Sequence, residues 1–147
     1  MSKKETAVAF LSEINSLDIL GAAPYCTDDF TYSGPFPKSL SLSEWNESAK
    51  PYQKAIPDWN FNAIFESEDA QIVNITAHVT GTHTGDLDLT SLDMGVVPAT
   101  GKTVALPVTN GRLIFKGDKI ANLHFDIVEG AGLPGILTQL GVSKPNN

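Results

Sequence analysis

The sequence predicts an α+β fold in which N-terminal helices pack on one face of a curved antiparallel sheet. Apolar residues recur at helical spacing in the first part of the chain, and period-two alternation dominates from Trp59 to Val128. Helices come first and strands follow, the order expected of segregated α+β layers. The clearest strand is Ile72 to Gly85, IVNITAHVTGTHTG. Val73, Ile75, Ala77, Val79 and Gly81 fall on one side, and Asn74, Thr76, His78, Thr80 and Thr82 on the other. Continuing the count puts His83 on the apolar side, a titratable ring entering an otherwise greasy surface.

Ser2 and Glu5 have capping-box spacing. Ala7, Phe10, Leu11, Ile14 and Leu17 then predict about five turns of amphipathic helix, with Gly21 as the stop. Ala22 to Cys26 reads as a short helical turn, and Phe30 and Tyr32 as the inward residues of a short strand. Ser41 and Glu44 repeat the capping box. Trp45, Ala49, Tyr52 and Ile56 mark the face of the next helix, where Pro51 predicts a kink or a break. Trp59, Phe61, Ala63 and Phe65 predict a strand with its aromatic side inward. After the central strand comes an acidic and apolar loop from Asp86 to Thr100, long enough to suggest a lid or a turn of helix of its own. Thr103 to Phe115 and Lys119 to Val128 predict a hairpin closed by Lys116-Gly117-Asp118. A Gly-rich tail then leads to Ile136, Leu137 and Leu140, an apolar patch that docks on the helices.

The 147 residues suffice for one domain, 1–147, with a core that needs no staples. Net charge is −7, and the ten Lys and Arg residues form no basic stripe, so nucleic acid and an anionic membrane surface are not the expected partners. Cys26 is the only cysteine, which leaves no intrachain disulfide and predicts a buried, inert thiol. No apolar run approaches a membrane span, and the start of the chain is too charged for a secretory segment, so a cytoplasmic location is expected. A sheet curled around helices leaves a concave inner face, where small molecules bind.

Six segments, in order along the chain, carry a family resemblance. They are DDF at Asp28–Phe30, IPD at Ile56–Asp58, GTHTG at Gly81–Gly85, TGK at Thr100–Lys102, GRLIFKGDKI at Gly111–Ile120 and ILTQLG at Ile136–Gly141. Together they resemble the SnoaL-like polyketide cyclases of the NTF2-like superfamily, over nearly the whole chain. The resemblance implies a cone-shaped domain with an internal pocket, often paired as a homodimer through the outer sheet face. It also implies cofactor-free and metal-free acid/base chemistry on a small apolar carbonyl compound. Relatives that only bind ligands keep a second reading open, a carrier of a hydrophobic metabolite.

His83 and Asp126 are the catalytic candidates. His83 is chosen by parity, against the alternative that it only caps the GTHTG turn through a backbone hydrogen bond. Asp126 is chosen because the family carries an acid/base carboxylate just after this strand, although Glu129 matches that place equally. Leu123 stands where the family has a histidine, and alternation points Asn122, His124 and Asp126 outward unless a bulge intervenes. The strand position that is often acidic in the superfamily falls near Gly111, so a familiar pocket acid is missing. Tyr32 and Thr109 are expected to offer hydroxyls to a ligand. Trp45, Tyr52, Trp59, Phe61, Leu123 and Phe125 are expected to line an apolar wall, which is equally the description of a core. His78 and His83 are five apart and face opposite ways on a regular strand, so a metal site is not expected.

Overall fold

The computed structural model describes residues 2–34 and 38–142. Helix α1 spans Lys3–Asn15. Ser2 Oγ accepts the Glu5 N–H, and Glu5 Oε1 accepts the Ser2 N–H in return, so the predicted capping box forms. The helix stops short of the predicted end because Asn15 is engaged elsewhere. Its carbonyl accepts the Phe61 N–H at 3.1 Å and its Oδ1 the Ala63 N–H at 3.0 Å. Leu17 then turns through a left-handed φ of 65°. A 3-10 turn over Leu20–Tyr25 leads to strand β1, Cys26–Ser33, and a short β2, Leu40–Ser41. Helix α2, Leu42–Ala55, carries the second capping box and runs through Pro51 without a break.

The main sheet has six strands in the order β2-β1-β10-β9-β4-β3. Strands β3 (Ile64–Asp69), β4 (Ile72–Ala77), β9 (Thr109–Lys116) and β10 (Lys119–Phe125) form antiparallel neighbours. Only β1 joins parallel to its neighbour, β10. The central stretch is not one strand. It divides at His78-Val79, where pairing to β9 ends, while the segment Asn60–Asn62 keeps alongside it the antiparallel register of β3: Phe61 O accepts the His78 N–H at 2.7 Å, and Asn60 and Thr80 exchange two bonds at 2.9 Å. The predicted strand from Trp59 becomes regular only at Ile64, because Asn62 takes a left-handed φ of 49°, although Phe61 and Ala63 keep their inward faces. Beyond the break, β5 (Thr80–Thr82) pairs with β8 (Thr103–Ala105). The predicted strand Thr103–Phe115 is likewise divided between β8 and β9, with Pro107, which has no N–H to donate, in the gap.

The inner sheet face packs Phe30, Val73, Ile75, Leu113, Phe115 and Leu123 against Ala7, Phe10, Leu11 and Ile14 of α1 and Trp45 and Ala49 of α2. Thr31, Ser33, Asn74, Arg112, Asn122 and His124 face the other way. The loop over residues 86–100 is a packed hairpin: β6 (Leu87–Asp88) pairs with β7 (Val96–Val97), and Leu87, Leu89 and Val97 are buried with Ala55 and Ile56. Helix α3, Gly132–Leu140, is the predicted apolar patch. It buries Leu137 against the end of α2, and Ile136 and Leu140 against Val104 and Leu106. Gln139 straps it to β8 by accepting the Ala105 N–H at 2.8 Å and donating to the Ala105 carbonyl at 2.7 Å. No helix of the described residues is long and apolar enough to cross a membrane.

Candidate functional site

The predicted aromatic wall assembles as a continuous ladder along the inner face. Tyr52 packs on Trp59 with ring centroids 5.6 Å apart, and Trp59 meets Phe61 edge-on at 5.5 Å. Phe61 stacks on Phe125 at 6.1 Å, Phe125 meets Tyr32 edge-on at 6.2 Å, and Tyr32 stacks on Trp45 at 4.1 Å. Each such pair adds about 0.5–1.5 kcal/mol beyond burial. The Trp45 end is closed, Trp45 being 3% and Phe125 5% exposed, so that part of the wall is core. The other end is half-buried. Tyr52 and Trp59 sit where three apolar clusters meet beneath α3.

Gly111 explains the course of the ladder. A Cβ at this position would lie 2.7 and 2.9 Å from two ring atoms of Phe125 and 3.0 Å from the His124 carbonyl. The absent side chain is the space the Phe125 ring fills. The place where the superfamily often carries an acid is therefore covered by a hydrocarbon ring.

Burial pushes the Tyr32 hydroxyl far above its ordinary range, helped by neighbouring Tyr52, and raises that of Tyr52 to about 12. Both stay protonated at neutral pH. The Trp59 Nε1–H is buried and meets no hydrogen-bond acceptor among the described residues. Leu123 is wholly buried on the inner face. Thr109 does not offer a free hydroxyl, because its Oγ1 faces the Pro107 carbonyl at 3.4 Å. Cys26 is buried, its Sγ lies 3.4 Å from the Ala22 carbonyl, and burial raises the thiol to about 12, so it is inert as expected.

His83 is fully buried, as its parity predicts. The TGK segment holds it: Thr100 N–H donates to Nδ1 at 3.2 Å, and Thr100 Oγ1 lies 2.9 Å from the same nitrogen. A backbone N–H can only donate, so Nδ1 carries the lone pair and the ring proton sits on Nε2. Burial lowers the imidazole's pKa, against a smaller opposing pull from Asp86, and keeps the ring neutral. The capping reading of this residue is met. One nitrogen ties the turn, and the other finds no partner among the described residues.

Asp126 is elsewhere. It lies beyond the end of β10 on the outer side, its side chain 43% exposed, 3.3 Å from Arg112 Nη1 and 3.8 Å from His124 Nε2. Strand alternation explains this: Leu123 and Phe125 point inward, so the carboxylate does not share a face with them. Asp126 thus takes the outward direction that alternation gives it. Ser33 also joins this outer group, its Oγ 2.8 Å from His124 Nδ1 and 3.3 Å from Asn122 Nδ2. The sequence hid Ser33 because only the parallel register of β1 and β10 sets it opposite His124. Thr100 was legible only as part of a motif, and its hold on His83 was not.

The six-stranded sheet packed on helices α1 and α2 has the ketosteroid isomerase-like fold of the solved structures that follow. Three solved structures carry the likeness. One is a proposed SnoaL-like polyketide cyclase from Jannaschia sp. CCS1, with TM-score 0.71 and 13% identity over 96% of this chain and 92% of that one. Another is AclR, a proposed hydroxylase from Streptomyces galilaeus, with TM-score 0.69 and 21% identity over 95% of each chain. The third is a protein of ketosteroid isomerase-like fold from Catenulispora acidiphila in complex with trimethylamine, with TM-score 0.66 and 13% identity over 97% of this chain and 96% of that one. No family model and no curated sequence matches the chain.

Proposed function

We propose that this protein takes up a small apolar carbonyl compound at the Tyr52–Trp59 end of the ladder and acts on it by cyclase- or isomerase-type chemistry without a cofactor. The observation that carries the reading is the half-buried aromatic end beneath α3; the neutral His83 ring follows directly after β5. Flat aromatic faces hold an apolar skeleton, while a dry surrounding strengthens any hydrogen bond to an oxygen that gains charge during enolisation. His83 is the group we assign to the reacting centre. Tyr32 and Tyr52 supply neutral hydroxyls along the wall. Asp126, on the outer face, has no part in it.

A specific observation favours a second reading, a binding protein without turnover. The buried polar residues among those described are Thr6 and His83, with no carboxylate, and Phe125 covers the place of the customary acid. Incubation with a panel of cyclic enones and linear polyketones separates the two. Turnover that disappears in His83→Ala supports the enzyme. A ligand that co-purifies in native mass spectrometry, with no turnover of the panel, supports the carrier. Failure of every panel member to bind rejects both.

We further propose a homodimer through the outer sheet face, where exposed Ile64 and Ile114 flank the Arg112 and His124 row. Sedimentation as a monomer at micromolar concentration would reject it.

A further inference from the structure

The chain has three histidines, and one of them holds its partner in a way that a proton would undo. His78 Nδ1 lies 2.6 Å from the Leu106 carbonyl, which can only accept, so that bond survives protonation of the ring. His124 Nδ1 faces the Ser33 hydroxyl, which can turn to donate or to accept. His83 differs, because its Nδ1 accepts the Thr100 N–H, a group that cannot reverse. The bond belongs to a closed set: His83 N–H donates to the Lys102 carbonyl at 2.9 Å, Gly101 N–H to the His83 carbonyl at 2.8 Å, and Lys102 N–H to Thr100 Oγ1 at 3.2 Å. The turn over residues 100–102 thus wraps the ring, and the same turn holds α3. Lys102 Nζ donates to the Leu140 carbonyl at 3.2 Å, and β8, which follows directly, carries the Ala105 that Gln139 straps. Tyr52 and Trp59 pack against the clusters to which α3 gives Ile136, Leu137 and Leu140.

A proton on Nδ1 would set two donors face to face. Thr100 N–H would lose its acceptor inside the fold, and Nε2–H, which meets no acceptor among the described residues, would give the cation no second partner. The charged groups of the surrounding elements are Asp86 and Asp88 on the hairpin over residues 86–100, Lys54 at the end of α2, Asp58 beyond it, and Lys102; α3 carries none. Burial disfavours the charged ring and outweighs the opposing pull of Asp86, whose Oδ1 already accepts the Ala99 N–H at 3.0 Å. We propose that His83 is an acid-released latch: protonation of Nδ1 frees the 100–102 turn, loosens α3 and uncovers Tyr52 and Trp59. As a latch it stands on these hydrogen bonds; as control of access to the aromatic end it rests on the pocket reading above. It gives Nδ1 a task distinct from any at Nε2.

The test is amide hydrogen exchange on the full chain at pH 7.5 and 5.5, read as protection so that the intrinsic pH dependence of exchange cancels. Protection over residues 100–105 and 136–142 is expected to fall severalfold, up to about tenfold, the limit that a free imidazole of pKa about 6.5 sets over this range. Protection of α1 is expected to stay unchanged. His83→Gln, whose amide oxygen can accept the Thr100 N–H but takes up no proton, is expected to remove the response, and His78→Gln and His124→Gln to keep it. Lys102→Met, at an exposed position, is expected to leave the response at 100–105 and abolish it at 136–142. Equal protection at the two pH values in the native chain overturns the latch; so does a fall shared equally by α1, or one that persists in His83→Gln. One check needs no variant: ¹⁵N NMR of the native ring at pH 7.5 is expected to find Nδ1 unprotonated, and a proton there overturns the latch. Binding of 2-cyclohexenone, followed by tryptophan fluorescence, is expected to be faster at pH 5.5. An unchanged rate overturns the control of access, and no binding at either pH overturns the pocket reading while the exchange result still decides the latch.

Discussion

Substituting Gly111 by Ala tests the packing on which the ladder depends. The new methyl group would sit 2.7 and 2.9 Å from the Phe125 ring and 3.0 Å from the His124 carbonyl. The carbonyl belongs to the β9–β10 pair and has little room to move. The ring is held between Phe61 and Tyr32. Overpacking of this kind costs about 1–3 kcal/mol, which in a chain of this size lowers Tm by about 2–12 °C. The control is Phe125→Ala, which opens a cavity and costs about 3–5 kcal/mol by itself. Adding Gly111→Ala to that variant should cost less than it does alone, because the methyl then meets only the His124 carbonyl. Urea denaturation followed by circular dichroism gives all four corners of the cycle, and the predicted coupling is at least about 1 kcal/mol. Gly111→Ala within about 0.5 kcal/mol of the native protein, a typical surface value, would refute the claim that Phe125 takes the space of the missing side chain. Equal costs in both backgrounds would refute it too.

Three other outcomes are expected. His83 has its pKa lowered on folding, so its contribution is fully present above about pH 6.5 and is lost as the pH falls toward the depressed folded value, where the unfolded chain binds the extra proton. Native stability measured from pH 7.5 to 5.5 should fall more steeply than that of His83→Gln; parallel curves would show that the ring is not held neutral. Gln139→Ala removes both bonds to Ala105, with a cost of about 1–3 kcal/mol for the pair, and amide exchange over residues 132–140 should accelerate while α1 is unchanged. Asp126→Asn breaks a half-exposed pair with Arg112 worth about 0–1 kcal/mol. Enone affinity, measured by fluorescence titration, should be unaffected, and a tenfold loss would bring the carboxylate back into the site.

The sequence made the layers legible because alternation and capping are local. Both capping boxes formed, and Phe30, Tyr32, Val73, Ile75, Leu113, Leu123 and Phe125 all turned inward as their parity required. Where the reading went astray, a distant segment decided the outcome. Asn15 ended α1 by bonding Phe61 and Ala63, and the central strand left β9 after Ala77 to pair with β8 from Thr80. Neither event leaves a mark in local periodicity. The loop over residues 86–100 does carry the short turn of helix expected as one alternative, Thr90–Leu92, but the burial of its Leu87 and Val97 at the end of α2 was not legible. The site was half legible for a related reason. Parity can place His83 and Asp126 on opposite faces, but which nitrogen of His83 is occupied depends on Thr100, seventeen residues away.

Locating a bound enone decides most directly whether the Tyr52–Trp59 end of the ladder is a binding site. Intermolecular NOEs from 2-cyclohexenone to the full-length protein are predicted to fall on the ring protons of Tyr52 and Trp59. Contacts confined to the shallow cleft of about 230 Å³ between Thr6, Pro24, Tyr25, Asp118 and Lys119 would contradict that, and would leave the ladder as core alone.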